Sequence, residues 1–381
     1  AQALLRGLAG AQPRPWRDGG MASWLWHCSI AVPALAVLFA LLFSYVAEGW
    51  VVDLLPGWRP GQIPNLDGKV AIVTGPTLNG IGYETSLELA RKGAHVILAG
   101  RSRSKGEEAL RQLHGALPRA AAEFAELDLA SLASVRAFAD AFLQRKLPLH
   151  ILVNNAGVMM NPFTLTPDGL ESQFATNHLG HFLLTLLLLP VLENSAPSRV
   201  VTVSSAAAYF PDVFAALARH LPREVLPAGA SVDLDYSKHL RADSEPSYGP
   251  VSAYGRSKLA NVLFARALAR RVAGKRVYSN ACNPGGISTN LQRHVFDSIS
   301  RSGLGFARGL FAAVGDSLLM APRQGAVTQL FLATAPEVER EAIHGEFYRP
   351  QAARAKLPGL VTEELEEQLW NVSAALVAEY L

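Results

Sequence analysis

The feature that most constrains this 381-residue chain is a rhythm beginning at Val70, in which short apolar, β-branched runs alternate with longer amphipathic stretches. Val70 to Thr74 (VAIVT) is bounded by glycine and followed at once by an amphipathic stretch from Ile81 to Arg91, which spells strand, loop, helix. The pattern recurs at 95–99 (HVILA) with a polar helix from about Ser104, at 122–128 (AEFAELD) with a helix from Ser131, and at 150–155 (HILVNN) before a long helix. It continues through 199–205 (RVVTVSS), a helix from about Ser252 to Val272, and 277–284 (VYSNACNP). Strands separated by helices run parallel, and a parallel sheet needs helices on both faces to bury it. We therefore expect an α/β fold with a doubly wound parallel sheet of about seven strands, the seventh near Gly345 to Tyr348. The span 210–249 breaks the rhythm and reads as an insertion, being too long for an ordinary connection.

Half of the residues are hydrophobic, enough to bury a large core. With 35 basic and 32 acidic side chains the net charge is only +3, which argues against a dedicated nucleic-acid binder. The two cysteines, Cys28 and Cys282, sit in unlike surroundings and give no disulfide framework. The histidines are scattered singly, so no zinc-like spacing occurs and no metal is expected.

Residues 1–23 read as an N-terminal extension. Residues 24–46 (WLWHCSIAVPALAVLFALLFSYV) carry no acidic residue, no Lys and no Arg, and as a helix are long enough for a bilayer core of roughly 30 Å. Trp24, Trp26, Tyr45 and Trp50 bracket the segment as interfacial aromatics do. It is expected to be a transmembrane anchor in the endoplasmic reticulum or another organelle membrane; a cleaved signal is the competing reading. Residues 47–66 are rich in Pro and Gly and read as a linker, with the globular domain at 67–381.

Several residues in this frame have chemical meaning. The loop from Thr74 to Gly82 places Gly75, Asn79, Gly80, Ile81 and Gly82 between strand and helix, where backbone can approach a pyrophosphate and a helix N-terminus can face it. The second strand ends in Gly100-Arg101-Ser102-Arg103, where an NAD-preferring site would offer an acid to the ribose hydroxyl. Arg101 and Ser102 suit a 2′-phosphate instead, which points to NADP(H). Tyr254 and Lys258 lie four apart at the start of a periodic helix and share a face. A phenol titrates near pH 10, and a neighbouring ammonium favours its anion. Ser205 closes the fifth strand at the edge where doubly wound folds bind ligands, and Asn177 lies inside an apolar helix. Each feature has a plainer reading: a structural glycine turn, solvated charges at a helix start, a chance Tyr-x-x-x-Lys, a buried Asn bonded to backbone.

In this order, the glycine loop, Asn155-Ala156-Gly157, Asn177, Ser205, the Tyr254/Lys258 pair and Pro284-Gly285 resemble the short-chain dehydrogenase/reductase family over roughly residues 67–350. NNAGVMM, NHLGHFLLT, VTVSS, YGRSKLANVLF and NPGGISTNL are most similar to its retinol-dehydrogenase-like branch. The resemblance implies a single Rossmann-type domain in which Tyr254 exchanges a proton with the substrate oxygen, Ser205 orients the carbonyl, Lys258 lowers the Tyr pKa and binds the nicotinamide ribose, and Asn177 holds a water. It further implies that Asp128, with Leu129 beside it, meets the adenine and that Asn155 to Gly157 line the cofactor. Pro284, Gly285, Ile287 and Thr289 would reach the nicotinamide carboxamide and diphosphate. Two departures stand out: four residues separate Gly75 from Gly80 where the family usually has three, and about fifty positions separate Ser205 from Tyr254.

Residues 291–321 are rich in Leu, Phe, Val and Ala and read as a lid over an apolar alcohol or carbonyl substrate such as a retinoid, sterol, fatty aldehyde or polyprenoid. The alternative for this segment is a helix pair that packs against a second subunit in a homodimer. A catalytically silent NADP(H)-binding regulatory or scaffold protein is the rival function on the same fold.

Overall fold

The computed structural model describes residues 57–209, 235–241, 248–287 and 319–381. The extension and the apolar segment 24–46 lie outside the described residues, as do most of the 210–249 insertion, Thr289 and all of 291–321 except its last three residues.

Eight strands form one sheet: β1 (Val70–Thr74), β2 (His95–Gly100), β3 (Ala122–Glu126), β4 (Ile151–Asn154), β5 (Ser198–Val203), β6 (Val277–Cys282), β7 (Phe347–Arg349) and β8 (Ala353–Arg354). Their spatial order is β3-β2-β1-β4-β5-β6-β7-β8. Every pairing is parallel except β7 with β8. The eighth strand is a two-residue edge strand, too short to leave a periodic signal in sequence. All residues of β1, β4 and β5 are buried, which is why these strands read as continuous apolar runs.

The helices are α1 (Ile81–Arg91), α2 (Arg103–Ala116), α3 (Leu132–Gln144), α4 (Ser172–Asn194), α5 (Pro250–Arg271), α6 (Pro322–Thr334), α7 (Glu337–Arg340) and α8 (Glu363–Val377). Successive side chains of β1 point to opposite faces, so Val70 and Ile72 join the core under α3, α4 and α5 while Ala71 and Val73 join the core under α1, α2 and α6. Ser102, Ser131 and Thr362 each accept a hydrogen bond from a backbone N–H three residues on, satisfying donors that α2, α3 and α8 would otherwise leave open. Helix α4 is apolar all round and passes by length and composition for a membrane span, but most of it is buried in the core.

The chain runs outward from β1 through β2 to β3 and then returns to the other side of β1 at β4. This reversal leaves a crevice beyond the carboxyl ends of β1 and β4, the position where open α/β sheets bind ligands.

Two packed regions lie at the margins of the expected domain. Ile63 and Leu66 are buried, and Trp58 meets Phe331 edge-on with ring centroids 5.8 Å apart, so the end of the expected linker belongs to the core. Helix α8 is fixed across α5 by charge: the buried Glu366 carboxylate pairs with Arg266 at 2.6 Å and with Arg270, and Glu367 pairs with Arg271 at 2.6 Å. The Arg271 guanidinium also lies 3.9 Å from the centre of the Trp370 ring. Helix α5, which carries Tyr254 and Lys258, is thereby held from behind.

Candidate active site

A cavity of about 640 Å³ opens at the crevice. One end is made by the loop after β1 and the start of α1. Gly75 has φ +70°, and a Cβ there would fall 2.9 Å from Ala156. At Gly82 a Cβ would fall 2.5 Å from both the Gly75 carbonyl oxygen and Asn155 Nδ2, so no larger residue fits this first turn. The loop accommodates its extra residue in a turn closed by Gly80 N–H to Thr77 O at 3.0 Å, with Asn79 left-handed at φ 57°. The cavity therefore has a backbone-lined floor at the N-terminus of an eleven-residue helix, which fits a dinucleotide phosphate.

Gly75, Asn79, Gly80, Ile81, Gly82, Arg101, Ser102, Asp128, Leu129, Asn155, Ala156, Gly157, Ser205, Tyr254, Lys258, Pro284, Gly285 and Ile287 all line this one cavity. Thr74 and Asn177 do not; both are fully buried behind its wall. The Thr74 hydroxyl accepts the backbone N–H groups of Asn155 and Ala156, each at 2.9 Å, and so holds the loop after β4 against β1. Asn155 donates through Nδ2 to the Thr74 carbonyl at 2.7 Å. Arg103 pairs with Glu126 at 3.1 Å and does not line the cavity, whereas Lys105, one turn into α2, does. Lys105 follows Ser102 by three residues, a helical spacing that could have flagged it; Phe124, Met159 and Asn161 at the cavity wall carry no comparable sequence signal.

At the other end Tyr254 and Lys258 are 5 % and 3 % exposed, one turn apart on α5. The Lys258 ammonium lies 5.8 Å from the centre of the Tyr254 ring and donates to the Val203 carbonyl at 3.1 Å. Burial lowers its pKa to about 8, so it remains mostly cationic near neutrality. The cation thus stands beside the phenol, the arrangement in which an ammonium favours a phenolate. Ser205 Oγ accepts from Ala207 N at 3.2 Å. The adjacent Ser204 donates to the Lys258 carbonyl at 2.6 Å and ties β5 to α5.

Asn177 sits in a π-helical turn, Ala175–Leu179, that opens the first part of α4. Its side-chain oxygen accepts from Val158 N at 2.7 Å, and its Nδ2 donates to Val158 O and Ser257 Oγ, each at 2.9 Å. The amide is thus taken up by backbone and Ser257. It pins the loop after Gly157 to the helix that carries Tyr254.

The family model described as short chain dehydrogenase matches residues 69–216. Retinol dehydrogenase 14 from Homo sapiens is 39 % identical over 361 residues, covering 90 % of this chain and 97 % of that protein. Polyprenol dehydrogenase from Mus musculus is 40 % identical over 346 residues, covering 89 % and 93 %. Among solved structures, an uncharacterized protein from Mycobacterium paratuberculosis superposes with TM-score 0.56 at 32 % identity, covering 85 % of this chain and 98 % of its own. The chain belongs to the short-chain dehydrogenase/reductase family, in its retinol-dehydrogenase-like branch, and is an NAD(P)-dependent oxidoreductase.

Proposed function

We propose that the protein interconverts an apolar, lipid-like alcohol and its carbonyl, using NADP(H), at a membrane surface. The observation that carries this reading is that one cavity has Arg101, Ser102 and Lys105 at one end and Ser205, Tyr254 and Lys258 at the other. Two cations and a hydroxyl beside the end of β2 suit a phosphate on the adenosine ribose, and no acid of this cluster competes for the ribose hydroxyls. Gly75 to Gly82 would hold the diphosphate; Asp128 and Leu129 would border the adenine end, and Asn155 to Gly157 with Pro284, Gly285 and Ile287 the nicotinamide end. Bound nicotinamide supplies the hydride donor or acceptor.

The chain's own residues handle the proton and the oxygen. Tyr254 gives its phenolic proton to the substrate oxygen in reduction and takes it back in oxidation. The Lys258 cation favours the phenolate, and Ser205 donates to the same substrate oxygen and so stabilises charge as it develops. Asn177 acts through the Val158 backbone and Ser257 as a positioning group. Val158, Met159 and Ile287 give the reactive end apolar walls. An apolar substrate agrees with these walls and with relatives named for retinol and polyprenol. The apolar segment 24–46 agrees with an organelle membrane.

The test is to follow nicotinamide absorbance with the full chain in detergent or vesicles, offering NADPH or NADH and a panel of apolar and water-soluble aldehydes and ketones. Faster turnover with NADPH and with apolar carbonyls is expected. A preference for NADH, or equal use of small soluble aldehydes, overturns the corresponding part of the reading.

A further inference from the structure

His181 takes no part in the chemistry described so far, yet it joins the two ends of the cavity. It sits on α4 one turn after Asn177, with 1 % of its surface exposed. Its Nδ1 is 3.0 Å from the Asn177 carbonyl oxygen and its Nε2 is 2.8 Å from Thr74 Oγ1. The tautomer follows from the partners. A carbonyl oxygen can only accept, so Nδ1 carries a proton and donates it. Thr74 Oγ1 already accepts two backbone N–H groups, from Asn155 and Ala156, and its own proton has Nε2 at 2.8 Å against the Val153 carbonyl at 3.4 Å. The hydroxyl therefore donates to an unprotonated Nε2. Only the neutral ring with hydrogen on Nδ1 satisfies every group, and burial, which lowers the His181 pKa to about 4, agrees with a neutral ring.

The imidazole completes a continuous path of hydrogen bonds. It runs from the Asn155–Ala156 backbone through Thr74 and His181 to the Asn177 carbonyl, and from the Asn177 side chain through Ser257, which donates to the Tyr254 carbonyl at 2.8 Å. The π-turn makes this link matter: Gly180 N–H reaches back five residues to Ala175 O, a register that α-helical bonding alone does not select. We propose that His181 is a positioning residue, whose imidazole, fixed as the Nδ1–H tautomer, holds the π-turn of Asn177 in register with the dinucleotide-binding loop and so couples cofactor binding to the placement of Tyr254. The inference rests on the proposed use of Tyr254 in hydride-transfer chemistry, but its geometry stands apart from the identity of the substrate.

Two conservative replacements separate the two bonds. His181→Gln keeps an acceptor near the Nε2 position and loses the donor to Asn177; His181→Asn keeps a donor near Nδ1 and loses the acceptor for Thr74. In the full chain, the Gln variant is expected to bind NADPH as tightly as the parent, by fluorescence titration, while kcat falls about tenfold. The Asn variant is expected to show the reverse, with NADPH binding weakened about tenfold and kcat at saturating cofactor nearly retained. Equal losses of affinity and kcat in both variants, or no loss in either, overturn the proposal. If neither variant folds, the tautomer of the parent protein decides. NMR of the histidine ring nitrogens provides a readout without turnover, expected to show hydrogen on Nδ1 of His181; hydrogen on Nε2 overturns the assignment. A parent protein that binds NADPH but reduces nothing counts against the proposed reaction, while the affinity and tautomer measurements still judge His181.

Discussion

The two ends of the cavity are made of different material. At the nucleotide end the shape is set by backbone, with Gly75 at φ +70°, Asn79 at φ 57° and a first helical turn that admits only Gly82, while the cations are borne by exposed side chains such as Arg101. At the reactive end the chemistry rests on side chains sealed from water: Ser205, Tyr254 and Lys258 are buried at the cavity wall, and Asn177 lies behind them with its amide fully engaged. A backbone cradle fixes where a ligand sits but tunes no proton affinity. Buried side chains do the opposite, since low polarity makes each charge act strongly on its neighbour. Binding and rate should therefore come apart on mutation.

The sharpest break is Tyr254→Phe, which removes one oxygen and leaves the cradle untouched. Turnover is expected to fall by about 10²–10⁴ while NADPH affinity stays within a few-fold, measured by steady-state rates beside a fluorescence titration. An equal loss of affinity would show that the two ends are not separable. Gly82→Ala attacks the other end. Its new methyl group meets Gly75 O and Asn155 Nδ2 at 2.5 Å, so the loop must move, and dinucleotide affinity is expected to drop about ten- to hundredfold. Arg101→Ala should be milder because the side chain is exposed and its charge is screened. About a tenfold loss of NADPH affinity with NADH affinity unchanged is expected from paired titrations.

The same division decides what could be read without coordinates. β1 is found at its exact residues, and β2, β4, β5 and β6 within two, because strands buried on both faces leave continuous apolar runs. The cradle was legible because a strand–glycine–helix junction is local in sequence. What escaped is what depends on contacts between distant elements. Thr74 and Asn177 stand behind the cavity wall because their partners, Asn155 and Val158, come from another strand's loop. Helix α8 carries a local signal in its Thr362 cap and acidic first turn, but its docking does not, since Glu366 is explained only by Arg266 and Arg270 on a helix about a hundred positions earlier. Ile63 and Leu66 looked like linker because their packing surface is built by later residues.

The smallest expected effect concerns stability, and it tests how dry the reactive end is. Two imidazoles lie behind it. Burial lowers the pKa of His178 to about 3 and that of His181 to about 4, from 6.5 in an open chain. Below about pH 6.5 the unfolded chain takes up protons at both rings while the folded chain refuses them, so stability present above that pH is lost progressively as pH falls toward 4. Glu171 acts with the opposite sign, because burial raises its pKa and its protonation in the folded state partly offsets the loss. His150 and His344, also lowered by burial, act with these two rings, and Glu84, raised by burial, acts with Glu171; four rings against two carboxyls should leave a net fall. The thermal midpoint is therefore expected to be lower at about pH 5 than at about pH 7.5, and His178→Gln, which removes one of the refusing rings, should make the midpoint less sensitive to pH. A parent protein whose midpoint is flat across this window would mean that water reaches the imidazoles, and that the contrast between a wet nucleotide end and a dry reactive end is weaker than the burial of these residues implies.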